Sequence, residues 1–275
     1  MIKLLRNMRE NKVIMEELIT RKVDNRKITP DLDWADFRGF SLLFDNPGNH
    51  LRPISSNLSV IDCQLQNARE LKFYNCLHNA LQSLNVFRMR DDWQFCMLPE
   101  SSYHVTAWDG LNDFNRGDIN GVLQSAANIF FQNFAPSFAA DNPLTQPMYE
   151  SLVRFGDCFP LTFKFGDLQQ WGNQSLVATL LPSDDSCREN LADFVRERCN
   201  LNVQYEQYGV QMKSHFAPHV SLGYFANSSL AQGTWQHLPH WQECFREYLQ
   251  DCTITFTSMT GYGFTNMTTF FKRTV

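Results

Sequence analysis

Hydrophobic and polar positions alternate along much of this chain in two periods. Alternation by two, or short apolar runs bounded by Gly, Pro, Asn or Asp, predicts strands over residues 40–44, 94–98, 103–108, 161–165, 176–181, 217–225, 252–257 and 269–273. The last two are expected to pair with each other. Helical spacing predicts helices over residues 2–19, 66–84, 122–134, 184–199 and 241–249, and Thr29-Pro30-Asp31 resembles a helix start. Asp45-Asn46-Pro47-Gly48-Asn49 predicts a turn, and Gly261-Tyr262-Gly263 a turn or bulge. No repeat of solenoid period is present.

Two of the strand segments carry the same triplet: His104-Val105-Thr106 and His219-Val220-Ser221, 115 residues apart. On an extended strand residues i and i+2 point the same way, so each triplet sets one imidazole and one hydroxyl on one face and its valine on the other. One such triplet is commonplace. Two copies, both in strand-like segments, suggest an internal pseudo-symmetry and two imidazoles facing each other across one cleft. That set suits a phosphodiester, with one His as base, the other as acid and the hydroxyls on non-bridging oxygens. The same parity puts Trp108 on the motif face, where it could stack on a base or simply pack, and puts Tyr224 on the core face. His215 sits at the entrance to the second strand and is a further candidate contact. His78 reads as a packed histidine on its helix. Thr253, Thr255 and Thr257 share one face, as weak polar contacts or as a solvated surface.

The contexts SSYHVTAWDG and FAPHVSLGYF resemble the 2H phosphoesterase superfamily, the bilobal group that includes LigT-like RNA ligases and cyclic phosphodiesterases. Pro47-Gly48-Asn49 followed by the motif from Leu98 to His104 is similar to one uncharacterised subgroup. The likeness runs from about residue 40 to 275. It implies an α+β fold of two antiparallel sheets facing a central cleft, with helices outside. It divides the chain into an N-terminal helical extension, residues 1–39, and a phosphoesterase-like domain, residues 40–275, with an insertion near 115–154 as a candidate lid. It also implies hydrolysis of a 2′,3′-cyclic phosphate or small cyclic nucleotide, with His104 and His219 catalytic, Thr106 and Ser221 on the phosphate, and no metal or cofactor. The partner would be a cyclic nucleotide or an RNA with a cyclic phosphate end. Ser221 stands where Thr is commoner in the family, keeping the hydroxyl but losing the stiffening methyl.

Composition narrows the alternatives. No run approaches the ~20 apolar residues that span a bilayer, and the first residues lack a signal-peptide core. Eight scattered cysteines without a C-x-x-C point to reduced thiols in a cytoplasm and away from a zinc site. Pro218 and the missing Glu exclude a zincin reading of His215 and His219. Net charge is −5, but the first 27 residues carry +4, leaving −9 on the remainder. An acidic body disfavours a long duplex groove and leaves room for a small, deeply bound phosphate. Two further functions remain: joining of RNA ends through a 2′-5′ linkage, and a catalytically silent nucleotide- or RNA-binding module.

Overall fold

A computed structural model describes residues 22–172 and 174–274, so the basic helix expected over residues 2–19 lies outside the described residues. The strands are β1 (Gly39–Phe44), β2 (Leu51–Pro53), β3 (Leu58–Ile61), β4 (Phe95–Met97), β5 (Thr106–Trp108), β6 (Leu161–Trp171), β7 (Ser175–Pro182), β8 (His219–Phe225), β9 (Thr253–Phe256), β10 (Met259–Asn266) and β11 (Thr269–Arg273). The helices are α1 (Lys72–Ser83), α2 (Val86–Trp93), α3 (Gly121–Gln132), α4 (Phe134–Ala139), α5 (Gln146–Phe155), α6 (Asp185–Glu206), α7 (Ser228–Gly233) and α8 (Leu238–Leu249). The class is α+β. One antiparallel sheet runs β2-β3-β11-β10-β1-β5 and the other β4-β8-β7-β6-β9. Among the described residues, no helix is long and apolar enough to cross a membrane.

β1 is buried throughout, as its sequence GFSLLF requires. Phe40 faces Phe130 of α3 and Phe138 of α4. At its other end Phe44 meets the second sheet. Its ring lies 5.1 Å from Phe256, 6.2 Å from Phe163 and 5.3 Å from Phe194 of α6. One continuous hydrophobic core therefore spans both sheets. α1 and α8 pack together against the five-stranded sheet, with Phe245 5.9 Å from Phe165.

Several expectations are corrected. β11 pairs with β10 and β3, not with β9, which is an edge strand on β6. The reason lies in β10, where Gly261 and Gly263 sit inside a strand rather than a turn. A Cβ at Gly261 would collide with Met148 of α5, and one at Gly263 with Phe271 and Phe138. The glycines permit close packing rather than a reversal. Thr29-Pro30-Asp31 starts no helix. The Thr29 hydroxyl accepts from the Asp33 N–H four residues on, and Ile28 bridges to Trp34, which closes a turn instead. Residues 22–38 are not helical. They run across the body, with Ile28 and Phe37 buried in the common core and Arg38 held by Asp113 and the Phe131 carbonyl. Thr253, Thr255 and Thr257 are exposed, and Thr255 bonds only Thr162 across the ladder.

The seam at Phe44 generates a stability prediction. Phe44→Ala should cost about 3–5 kcal/mol, the usual range for an emptied aromatic site. Phe87→Ser, at a position 80% exposed, should stay within about 0.5 kcal/mol of the parent. Urea unfolding of both variants checks this, and equal effects would show that the seam is not the core.

Candidate active site

The first motif is held largely outside regular structure. β5 is an edge strand that begins only at Thr106, because the preceding carbonyls are bonded elsewhere. Cys63 N–H donates to the Ser101 carbonyl at 2.9 Å, and the Asn46 amide to the Tyr103 carbonyl at 2.8 Å. Asn46 belongs to the Asp45–Asn49 turn, so that turn fixes the backbone beside His104. The second motif opens β8, in the interior of its own sheet.

The two motifs agree in three respects that their letters alone do not show. His104 Nδ1 lies 2.8 Å from the carbonyl of Ser102, and His219 Nδ1 lies 2.9 Å from the carbonyl of Ala217, each two residues back. A carbonyl only accepts, so each Nδ1 carries a proton and each Nε2 is the free basic nitrogen of a neutral ring. Each imidazole also leans on an aromatic from its own sheet. The ring centroids are 4.1 Å apart for His104 and Phe270 and 4.3 Å apart for His219 and Trp171. Finally, each strand bulges at the position after the hydroxyl. Leu42 and Leu43 of β1 face Trp108 and Thr106, and Leu176 and Val177 of β7 face Gly223 and Ser221. Ala107 and Leu222 are the extra residues.

His104, Thr106, His219 and Ser221 line one cavity of about 1130 Å³, whose walls come from both sheets. All four are half-buried, and both intervening valines are fully buried. A smaller cavity of about 390 Å³ lies between α2 and α8, away from both motifs. Convergent polar groups favour the larger one as the site. Burial pushes the His104 pKa down to about 4, against the pull of the Ser102 carbonyl, with the positive charges of His219 and Lys27 adding to the fall. Burial also lowers His219, opposed by the Ala217 carbonyl and the Asp109 carboxylate and assisted by Lys213 and Lys27. Both rings are therefore neutral near pH 7.

Trp108 lies in the cavity wall but is 1% exposed. It is a strut rather than an open stacking platform. α6, expected to stop at residue 199, continues to Glu206, and the added turns carry Asn202 and Tyr205 over the indole. Trp108 Nε1 donates to Asn202 Oδ1 at 2.9 Å and its ring sits 4.7 Å from Tyr205. From the same helix, Arg198 and Asn202 donate to the Lys213 carbonyl and clamp the loop leading to His219. His215 is exposed on the cavity rim. His78 is half-buried beside Tyr103, outside the cavity. The candidate lid is not one: among the described residues, none of 115–154 lines the cavity, and α3, α4 and α5 back the six-stranded sheet instead. Sequence parity missed Tyr224, which reaches the cavity because the bulge at Leu222 breaks the alternation. It also missed Lys27, Trp171 and Phe270, whose sequence contexts carry no motif. No group of three His, Cys, Asp or Glu among the described residues is placed to share a metal ion.

No family model matches the chain, and no curated protein matches it. Among solved structures it is similar to a conserved protein of unknown function from Agrobacterium tumefaciens strain C58. The two share 13% identity with a TM-score of 0.52, over 91% of this chain and 90% of that one. The likeness is one of fold.

The depressed His104 pKa has a thermodynamic consequence. Between pH ~6.5, the ordinary imidazole value, and pH about 4, the unfolded chain takes up a proton that the folded chain refuses. Folding stability should therefore be undiminished by this group above pH ~6.5 and fall as pH drops through that window. Thermal melts of wild type and His104→Gln across this range check it. The variant should lose less stability than wild type, and parallel curves would contradict the assignment.

Proposed function

We propose that the chain is a metal-independent phosphodiesterase of the 2H phosphoesterase type. Its substrate would be a 2′,3′-cyclic phosphate, as a small cyclic nucleotide or at an RNA end. The observation that carries this reading is the matched anchoring of His104 and His219, each with Nδ1 on the carbonyl two residues back and Nε2 free beside one shared cavity. In the bilobal arrangement we infer, each sheet supplies one motif. A volume of about 1130 Å³ exceeds the usual ligand-pocket range of roughly 300–1,000 Å³ and leaves space for a nucleotide with a flanking residue. All eight cysteines are free thiols, which supports a reducing cytoplasmic setting.

In the reaction, the oxygen of a water attacks phosphorus and the bond from phosphorus to one ribose oxygen breaks. One imidazole Nε2 takes the water proton, and the imidazolium of the other gives its proton to the departing ribose oxygen. The product is a phosphomonoester beside a free hydroxyl. Asp109 favours the charged form of His219, whereas no carboxylate offsets the burial of His104. We assign His219, whose charged form Asp109 favours, as the acid and His104 as the base. The incoming anionic phosphate supplies the further charge that lets His219 hold its proton. Thr106 and Ser221 hydroxyls donate to the non-bridging oxygens as negative charge builds there. Each proton transfer contributes typically ~10²–10⁴-fold.

A kinetic series on a 2′,3′-cyclic phosphate panel tests this, with folding followed by circular dichroism. Thr106→Val and Ser221→Ala should each lower turnover by roughly 10²–10³-fold. His104→Ala and His219→Ala should cost at least as much, and together far less than the product of the two. Near-normal turnover with both hydroxyls removed would overturn the mechanism. Specific nucleotide binding without turnover in wild type would favour a silent binding module instead.

Metal independence has its own check. Turnover should persist in excess chelator. Loss of activity with chelator, restored by a divalent ion, would contradict it.

A further inference from the structure

Segment 22–38 crosses the end of β8 and is pinned there. The N–H groups of Asp24 and Asn25 both donate to the Ala226 carbonyl at 3.0 Å, and the Asn25 amide donates to the Phe225 carbonyl at 3.0 Å. The Asn25 side chain also receives the Lys27 N–H at 3.1 Å, while the Lys27 carbonyl accepts from Ala35 at 3.0 Å. Lys27 is therefore held by its own backbone on both sides. Its side chain enters the cavity that contains both motifs. The ammonium sits 4.4 Å from the Tyr224 ring centroid and 5.6 Å from that of Phe37, and it donates to the Tyr224 hydroxyl at 3.1 Å. That bond uses one of its three N–H groups. Among the described residues it makes no ion pair.

The other cations of the cavity are committed. Lys213 pairs with Asp109 at 3.6 Å, and Arg198 is buried with a guanidinium nitrogen on the Lys213 and Ser214 carbonyls. Lys27 alone among the described cavity cations faces neither a carboxylate nor a backbone carbonyl. Its charge is felt by both imidazoles.

We propose that Lys27 is the phosphate-holding cation of this site, carried in from outside the motif strands to take a non-bridging oxygen between His104 and His219. As a contributor to turnover it rests on the phosphodiesterase reading above; as an anion site it does not. A positioned ammonium in a half-buried pocket supplies the positive charge that the two neutral imidazoles and two hydroxyls lack. Tyr224 and Phe37 hold it through their ring faces without neutralising it.

The test uses the full chain with Lys27→Met, which keeps the aliphatic stem, and Lys27→Arg, which keeps the charge. Inorganic phosphate binding is measured by calorimetry, and the histidine ring protons are titrated by NMR. Lys27→Met should weaken phosphate binding by roughly 10- to 100-fold, the worth of a charged hydrogen bond, and Lys27→Arg should restore most of it. Without ligand, both imidazoles of Lys27→Met should titrate at higher pH, since a like charge is gone while the other charged or titratable cavity residues, Asp109, Asp167, Arg198, Lys213 and His215, are unchanged. A purely structural lysine would leave phosphate affinity within about twofold, and that result overturns the proposal. Should Lys27→Met fail to fold, the wild-type Lys27 ammonium signal decides. It should shift on adding phosphate, and a signal that stays put is equally contrary. Wild type that binds phosphate through Lys27 but turns over no cyclic phosphate would sink the phosphodiesterase reading alone. Full cyclic-phosphate turnover in Lys27→Met would sink this proposal alone.

Discussion

An imidazole that gives its Nδ1 proton to a carbonyl has one neutral tautomer, and both His104 and His219 are bound this way. The acceptor in each case is the carbonyl two residues back, so the tautomer is set by local backbone rather than by a distant partner. Two basic Nε2 atoms then meet one cavity. Both rings therefore present the same basic nitrogen to the cavity. Without that bond either ring could turn its acceptor lone pair into the protein and point its one N–H into the cavity, and the two rings would no longer match.

Packing keeps those short-range bonds useful. The aromatic seam at Phe44 joins the two sheets on one side, so the other side can stay open as a cavity. α6 ties its rim. Asn202 holds Trp108 of the first motif strand through one amide atom and the loop before the second motif through the other. A single side chain therefore links the two halves of the site, and the Asn46 amide does comparable work beside His104. The burial that secures this geometry also lowers both imidazole pKa values and holds the rings neutral near pH 7.

The sequence made the local chemistry legible because a triplet on an extended strand needs no distant information. Most element positions and the four central side chains follow from short-range pattern, whereas the two-sheet arrangement was an implication of the family resemblance. What escaped was long-range or local irregularity. Ala107 and Leu222 are ordinary residues, and nothing in their type announces a bulge, so parity put Tyr224 in the core when it reaches the cavity. Gly261 and Gly263 read as a turn or bulge in sequence because glycine serves close packing and chain reversal equally well. The pattern therefore hides β10, the strand that draws β11 into the six-stranded sheet and away from β9. The bulge at Ala107 likewise pairs Trp108 with Leu42 while Thr106 pairs with Leu43, so the indole turns off the motif face and lies under Asn202 and Tyr205 of α6. Lys27 sits in a basic segment that carries no motif, and a hydrogen bond to Tyr224, 197 residues on, brings it to the site.

The central claim is that His104 and His219 act on one phosphate, and a crystal structure of the chain soaked with inorganic phosphate tests it most directly. The account predicts one anion in the large cavity with both Nε2 atoms about 2.6–3.2 Å from its oxygens, and the Thr106 and Ser221 hydroxyls on the same ion. A phosphate that touches only one of the two imidazoles, or that binds elsewhere and leaves this cavity to water, would contradict it.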